Sequence, residues 1–202
     1  EFLVNTYTTS NQRNPSIALD ADGDFIVVWS SYGQDGSGDG VYGQRYTKDG
    51  ILSGSEFQVN NYTTDAQTQP SVAMDDDGNF TVVWQSFGQT SFSYDAYGQR
   101  YAADGMAIGG EFLIDTYATT PVVAMDKDGD FVVAWADGAE IMAQRYAANG
   151  AAIGSDFQVN NYTTATQSSP SLAMNSEGDF VIAWQSQNQD GDLMCINGQR
   201  YF

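Results

Sequence analysis

The sequence predicts an all-β protein, a four-bladed β-propeller, and three observations carry that prediction. A long unit recurs four times, each copy holds four short strand patterns, and no stretch sustains the 3.6-residue apolar period of a helix. The recurrence is exact enough to number. Glu1-Phe-Leu-Val-Asn5 returns at Glu56, Glu111 and Asp156, in steps of 55, 55 and 45 residues. Pro15, Pro70, Pro121 and Pro170 each precede a tryptophan, Trp29, Trp84, Trp135 and Trp184, by 14 residues. A Gln-Arg-Tyr triplet ends each copy, at Tyr46, Tyr101, Tyr146 and Tyr201. The 202 residues therefore read as one domain of four repeats, 1–55, 56–110, 111–155 and 156–202.

Within the first copy, Ser16-Ile-Ala-Leu-Asp20 alternates small and large side chains with period two, the pattern of a strand. Asp20-Ala-Asp-Gly-Asp24 is a tight turn in which Gly23 can take positive φ. Phe25-Ile-Val-Val-Trp29 is apolar throughout and rich in β-branched residues, as a strand covered on both faces requires. Val41 to Tyr46 gives a third strand, a Gly-rich turn follows, and Glu56 to Asn60 gives the fourth. The chain opens on a lone fourth-strand pattern, Glu1 to Asn5, and stops after a third. The N-terminal strand is therefore expected to join the last blade and close the ring, removing an open edge. The alternatives are a piece of a longer array and a larger ring completed by a second chain.

The stretch Pro15 to Trp29, followed by Tyr-Gly-Gln-Arg-Tyr46, resembles the tandem repeats of large secreted or cell-surface bacterial proteins. Such repeats occur beside adhesin and haemolysin-type calcium-binding modules. Its Pro-x-x-Ala-x-Asp-x-x-Gly-Asp portion is similar to NHL-type propeller blades. The resemblance covers the whole chain. It implies an extracellular or cell-surface setting and no particular reaction, because propellers host many functions.

Composition excludes several classes. With 26 acidic and 7 basic side chains the net charge is −19, so there is no basic surface for nucleic acid. No apolar run is long enough to span a membrane as a helix. Histidine is absent, which removes Ser-His-Asp and Cys-His catalysis and every His-ligated metal site. The single cysteine, Cys195, cannot form an internal disulfide. The chain is expected to be a monomer or part of a longer chain.

Two sets of loops remain. The Asp-Gly turns place acids at alternate positions: Asp20, Asp22 and Asp24; Asp75 and Asp77; Asp126, Asp128 and Asp130; and Asp179. Oxygen ligands so spaced suit calcium, the expected cofactor; equally, they suit a bulged hairpin whose Asp side chains cap backbone N–H groups. The opposite face carries aromatics beside amides and acids: Tyr7, Tyr32, Gln34, Asp35, Tyr62, Phe87, Gln89, Tyr94, Tyr162, Gln189 and Asp190. Sugars stack on such rings and bond to such polar groups. Blade three has shortened connections there, which should leave a notch floored by Asp137 and Glu140. The leading expectation is a secreted, non-enzymatic module that binds a polysaccharide or other glycan. A structural spacer of an adhesin is the first alternative. A polysaccharide-cleaving enzyme is the second, with Asp137 and Glu140 as its acids.

Overall fold

A computed structural model describes residues 1–90 and 92–202, leaving Ser91 outside. It has the expected architecture: four antiparallel sheets set as blades, with no helix among the described residues. Blade one holds β1 (Gln12–Leu19), β2 (Phe25–Tyr32), β3 (Asp39–Tyr46) and β4 (Phe57–Gln58). Blade two holds β5 (Gln67–Met74), β6 (Phe80–Phe87), β7 (Tyr94–Tyr101) and β8 (Ala107–Asp115). Blade three holds β9 (Ala118–Met125), β10 (Phe131–Asp137), β11 (Glu140–Tyr146) and β12 (Ala152–Gln158). Blade four holds β13 (Gln167–Met174), β14 (Phe180–Gln187) and β15 (Met194–Tyr201).

Every innermost strand carries the repeat's proline at a bulge. Between Arg13 and Ser16 the pairing with β2 shifts, so that Asn14 and Pro15 bulge beside Trp29. An innermost strand is an edge strand, and proline there costs the sheet no ladder bond. The residue before each proline is left-handed, Asn14, Gln69, Thr120 and Ser169, at φ 51–53°. These four pairs line an axial groove of about 400 Å³.

Between blades the recurring residues explain themselves. Tyr101 stacks on Phe80 at 4.8 Å, and Phe57 from the preceding blade's outer strand tilts against it at 5.5 Å. The same triad recurs as Phe112, Phe131 and Tyr146 and as Phe157, Phe180 and Tyr201. Gln44 bridges the third and fourth strands by donating to the Arg45 and Gly54 carbonyls. Arg45 donates across the interface to the Ala103 and Asp104 carbonyls, and Arg100 to those of Ala148 and Asn149. All four tryptophans are buried. In blades one to three the Gln-Arg-Tyr triplet is thus inter-blade structure, with Arg45 and Arg100 on carbonyls and Arg145 over the Phe180 ring, while Arg200 lies over Phe202.

The closing strand departs from expectation. Glu1 to Asn5 form no ladder with β15, and the fourth sheet has three strands. Phe2 instead lies 5.3 Å from Tyr46, and the Tyr46 hydroxyl donates to the Val4 carbonyl, as Tyr101 does to Val59. The segment occupies an outer-strand place beside blade one while its own sheet partner is missing. β1 packs on β5, β5 on β9 and β9 on β13, but β13 makes no comparable contact with β1. The physical reason is that a strand pattern fixes which side chains point inward but not which edge it pairs with.

Candidate functional site

At one end of the blades lie the Asp-Gly turns. The Asp20 Oδ1 accepts the N–H groups of Asp22 and Asp24 at 3.0 and 2.9 Å, and Asp75 and Asp126 do the same in their turns. Asn175 makes both bonds in blade four with its amide oxygen. A neutral side chain therefore does this job as well as a charged one. The turn's last residue is also engaged: Asp24 accepts the Lys48 N–H at 2.9 Å and Asp130 that of Ala148 at 2.8 Å. Asp22, Asp77 and Asp128 point outward, and Asp179 lies 3.9 Å from Arg200. Among the described residues no three acids converge on one point. This donor set does not make a calcium cage. Asp126→Asn should leave the melting temperature nearly unchanged, whereas Asp126→Ala should cost about 1 kcal/mol in urea unfolding.

At the other end, most of the expected ligand-binding residues are tied into their own loops. Tyr62 donates its hydroxyl to the Gly88 carbonyl at 3.1 Å, and Tyr162 donates to Asn188. Gln34 donates to Glu56 at 2.7 Å and Gln89 to Glu111 at 3.3 Å. Asp35 caps the Ser37 N–H, Asp190 that of Asp192, and Gln189 accepts from Ser186. Phe87 and Tyr94 pack edge-on against each other at 5.2 Å. Tyr32 is left exposed; Tyr7 caps nothing but has its carbonyl held by Asn5. Repetition here builds loops, each blade to itself.

Blade three is different, and one residue at its edge breaks the repeat. Asn5, Asn60 and Asn160 occupy one position in the outer strand, and in the second blade that position is Asp115. Asn60 and Asn160 each accept an N–H from the neighbouring third strand, Val41 and Ile141, and donate to their loop carbonyls. Asp115 has no amide to donate. Its Oδ1 accepts the Thr116 N–H at 2.8 Å and its Oδ2 accepts the Trp135 indole N–H at 3.1 Å. Burial pushes its carboxyl above the ordinary aspartate range against the pull of those two bonds, and Asp137 and Asp156 repel the charge further.

The expected shortening of the rim is present. Asp137 and Glu140 pair across β10 and β11 with only Gly138 and Ala139 between them, and the tip stays exposed. The corresponding loop of blade one runs from Gly33 to Gly38. Gln158 and Asn160 both donate to Glu140 Oε2, the former at 3.1 Å, which fixes that carboxylate. The Asp137 charge bears on Asp115, and Glu140 stands opposite Asp137. Burial, followed by Asp35 and Glu56, pushes Tyr42 up to about 12, and burial followed by Asp115 pushes Tyr146 to about 12. Sequence reasoning found Asp137 and Glu140 through loop length and passed over Asp115. The signal available was the single acid in a column of asparagines.

No family model and no curated protein matches the sequence. Solved structures match the fold. An endo-arabinase of Bacteroides thetaiotaomicron superposes with a TM-score of 0.54 and 14% identity, over 93% of this chain and 74% of its own. An α-L-arabinanase of Penicillium chrysogenum, complexed with arabinobiose, gives 0.62 and 15%, over 94% of this chain and 57% of that one. A family GH93 α-L-arabinofuranosidase of Fusarium graminearum, also with arabinobiose, gives 0.62 and 13%, over 94% and 58%. This chain thus spans less than two thirds of the latter two. At these identities the likeness establishes the propeller. These three are glycoside hydrolases and lend no support to the NHL or adhesin resemblance, and the expectation of a non-enzymatic binding module is corrected on that ground.

Proposed function

We propose that this propeller cleaves polysaccharide at the rim of blade three, with Asp115 as general acid and Asp137 as the second carboxylate. What carries the reading is Asp115. It is the one acid at a position that is otherwise asparagine, and its environment favours the protonated form. Glycosidic cleavage needs two carboxyl groups in unlike environments, one protonated to donate to the leaving oxygen and one ionised to act on the sugar or on water. Asp115 is half-sequestered against Trp135, while Asp137 sits at an open hairpin tip. Glu140, held by two amides, positions the hairpin that carries Asp137. Fold-mates that act on arabinose-containing glycans support the choice of substrate class, and repeated sites on every blade are not required.

The test is the release of reducing ends from a panel of linear and branched polysaccharides, beginning with arabinan, by the purified chain. Product from at least one polymer, lost in Asp137→Asn, supports the proposal. No product from any polymer in the panel overturns it. Glu140→Gln should leave substrate affinity within about twofold and lower kcat roughly 10-fold, because it loosens the hairpin without removing a reacting group.

A further inference from the structure

Every connection leading into a blade carries one tyrosine, Tyr7, Tyr62, Tyr117 and Tyr162, two residues after the asparagine column that Asp115 interrupts. Tyr62 and Tyr162 donate their hydroxyls to Gly88 and Asn188, carbonyls in the hairpin of the blade they lead into. In blade three that hairpin is cut to Gly138 and Ala139, and Tyr117 is left 63% exposed while the other three tyrosines are half-buried. Its backbone is also unlike theirs. Of the four, Tyr117 alone has positive φ, at 60°. The longer connections into blades one and two give the left-handed place to Ser10 and Asp65, at φ 61° and 60°. A short polar side chain tolerates that conformation, whereas a bulky ring is strained in it.

Strain of this kind persists only where the surroundings impose it. Asp95, fully buried in β7, does so: its Oδ1 accepts the Tyr117 N–H at 3.0 Å and its Oδ2 accepts the Thr90 hydroxyl. The equivalent positions hold Gly40, Glu140 and Cys195, so this grip belongs to one connection and not to the repeat. A buried carboxylate thus fixes a strained residue whose ring stays largely in water. That residue lies two places after Asp115, and the next one, Ala118, pairs with Asp137 across β9 and β10. We infer that Tyr117 is the sugar platform of the blade-three rim, on which one uncharged sugar ring of the polymer stacks; this rests on the reading of that rim as the cleavage site. A tyrosine ring takes the C–H face of a sugar while its hydroxyl stays wet. The charges select a neutral sugar. Six of the seven basic residues, Arg45, Lys48, Arg100, Lys127, Arg145 and Arg200, belong to the end of the Asp-Gly turns. The seventh, Arg13, is ion-paired with Asp39 at 2.5 Å. A uronate chain would therefore meet Asp115, Asp137 and Glu140 with no cation to offset the repulsion.

Retention of the purified chain in gels cast with arabinan, xylan or polygalacturonate, run beside reducing-end assays, tests this. A neutral polymer should retard the chain and polygalacturonate should not. Tyr117→Ala should weaken that retention about 10-fold and raise KM by about as much, with kcat within about twofold, because stacking holds substrate and transition state alike. Tyr117→Phe, which keeps the ring, should behave as wild type. Tyr117→Gly should lose affinity as Tyr117→Ala does and yet melt no lower than wild type, since glycine adopts φ 60° freely. Retention that is equal in wild type and Tyr117→Ala overturns the inference, whatever the cleavage assay shows. So does no retention by either neutral polymer, or stronger retention by polygalacturonate. A Tyr117→Gly variant that melts below wild type would mark the ring as packing and overturn it too. Retention that depends on Tyr117 but yields no product upholds the platform and removes only the roles given to Asp115 and Asp137.

Discussion

Asp115→Asn should lower polysaccharide cleavage by a factor of about 10³ while leaving the fold at least as stable as before. The substitution is nearly isosteric and installs the residue that the repeat carries at positions 5, 60 and 160. The amide oxygen can still accept from the Trp135 indole, so the local geometry survives. What is lost is the proton. Because the carboxyl is raised in the folded state, its protonated form is favoured there, and the stability it contributes is present at low pH and lost as pH rises through that raised value. At neutral pH the wild-type carboxylate is held against burial and against Asp137 and Asp156, so the neutral asparagine removes a penalty. Activity should accordingly fall on the alkaline side as Asp115 loses its proton. Rate measurements across pH, paired with thermal melts of both proteins, check all of this. A variant that keeps its activity, or loses it only by unfolding, removes Asp115 from the mechanism. A structural role alone would leave the alkaline limb where it was.

Much of the fold was legible because each repeat landmark does a local job that recurs from blade to blade. The constant Pro-to-Trp spacing encodes the inner-strand bulge, and the Gln-Arg-Tyr triplet encodes a strand bridge, an inter-blade bond and an aromatic stack. Ring closure was less legible. The Glu1–Asn5 pattern marks an outer strand correctly, but its partner edge is a matter of tertiary placement. The site was read least well. Aromatic and amide side chains on loops look alike whether they face a sugar or cap a turn, and Tyr62, Gln34 and Gln89 turn out to face their own backbone or a neighbouring glutamate. The shortened rim was visible as missing residues. The acid beside it was visible only as a departure from the repeat, and its meaning depends on Trp135 from the next blade, 20 residues away in sequence.

Phe131→Ala should be the costliest single truncation, about 4 kcal/mol, and Phe2→Ala among the mildest of the aromatic ones, below about 1 kcal/mol. Both rings belong to the same kind of three-ring cluster, so residue chemistry cannot separate them. Phe131 is 1% exposed, stacks on Tyr146 at 4.8 Å, and lies in a core that joins blades two and three. Removing it deletes a buried ring and leaves a cavity whose walls are strands bonded on both sides, which cannot collapse to fill it. Phe2 is 57% exposed and meets Tyr46 from a segment that forms no ladder. Its loss removes one face of contact and no enclosed volume. Urea unfolding at dilute protein concentration gives both values as shifts in midpoint at constant slope. Comparable costs for the two would mean that Phe2 is as enclosed as Phe131, and hence that residues 1–5 are paired into a sheet within a single chain.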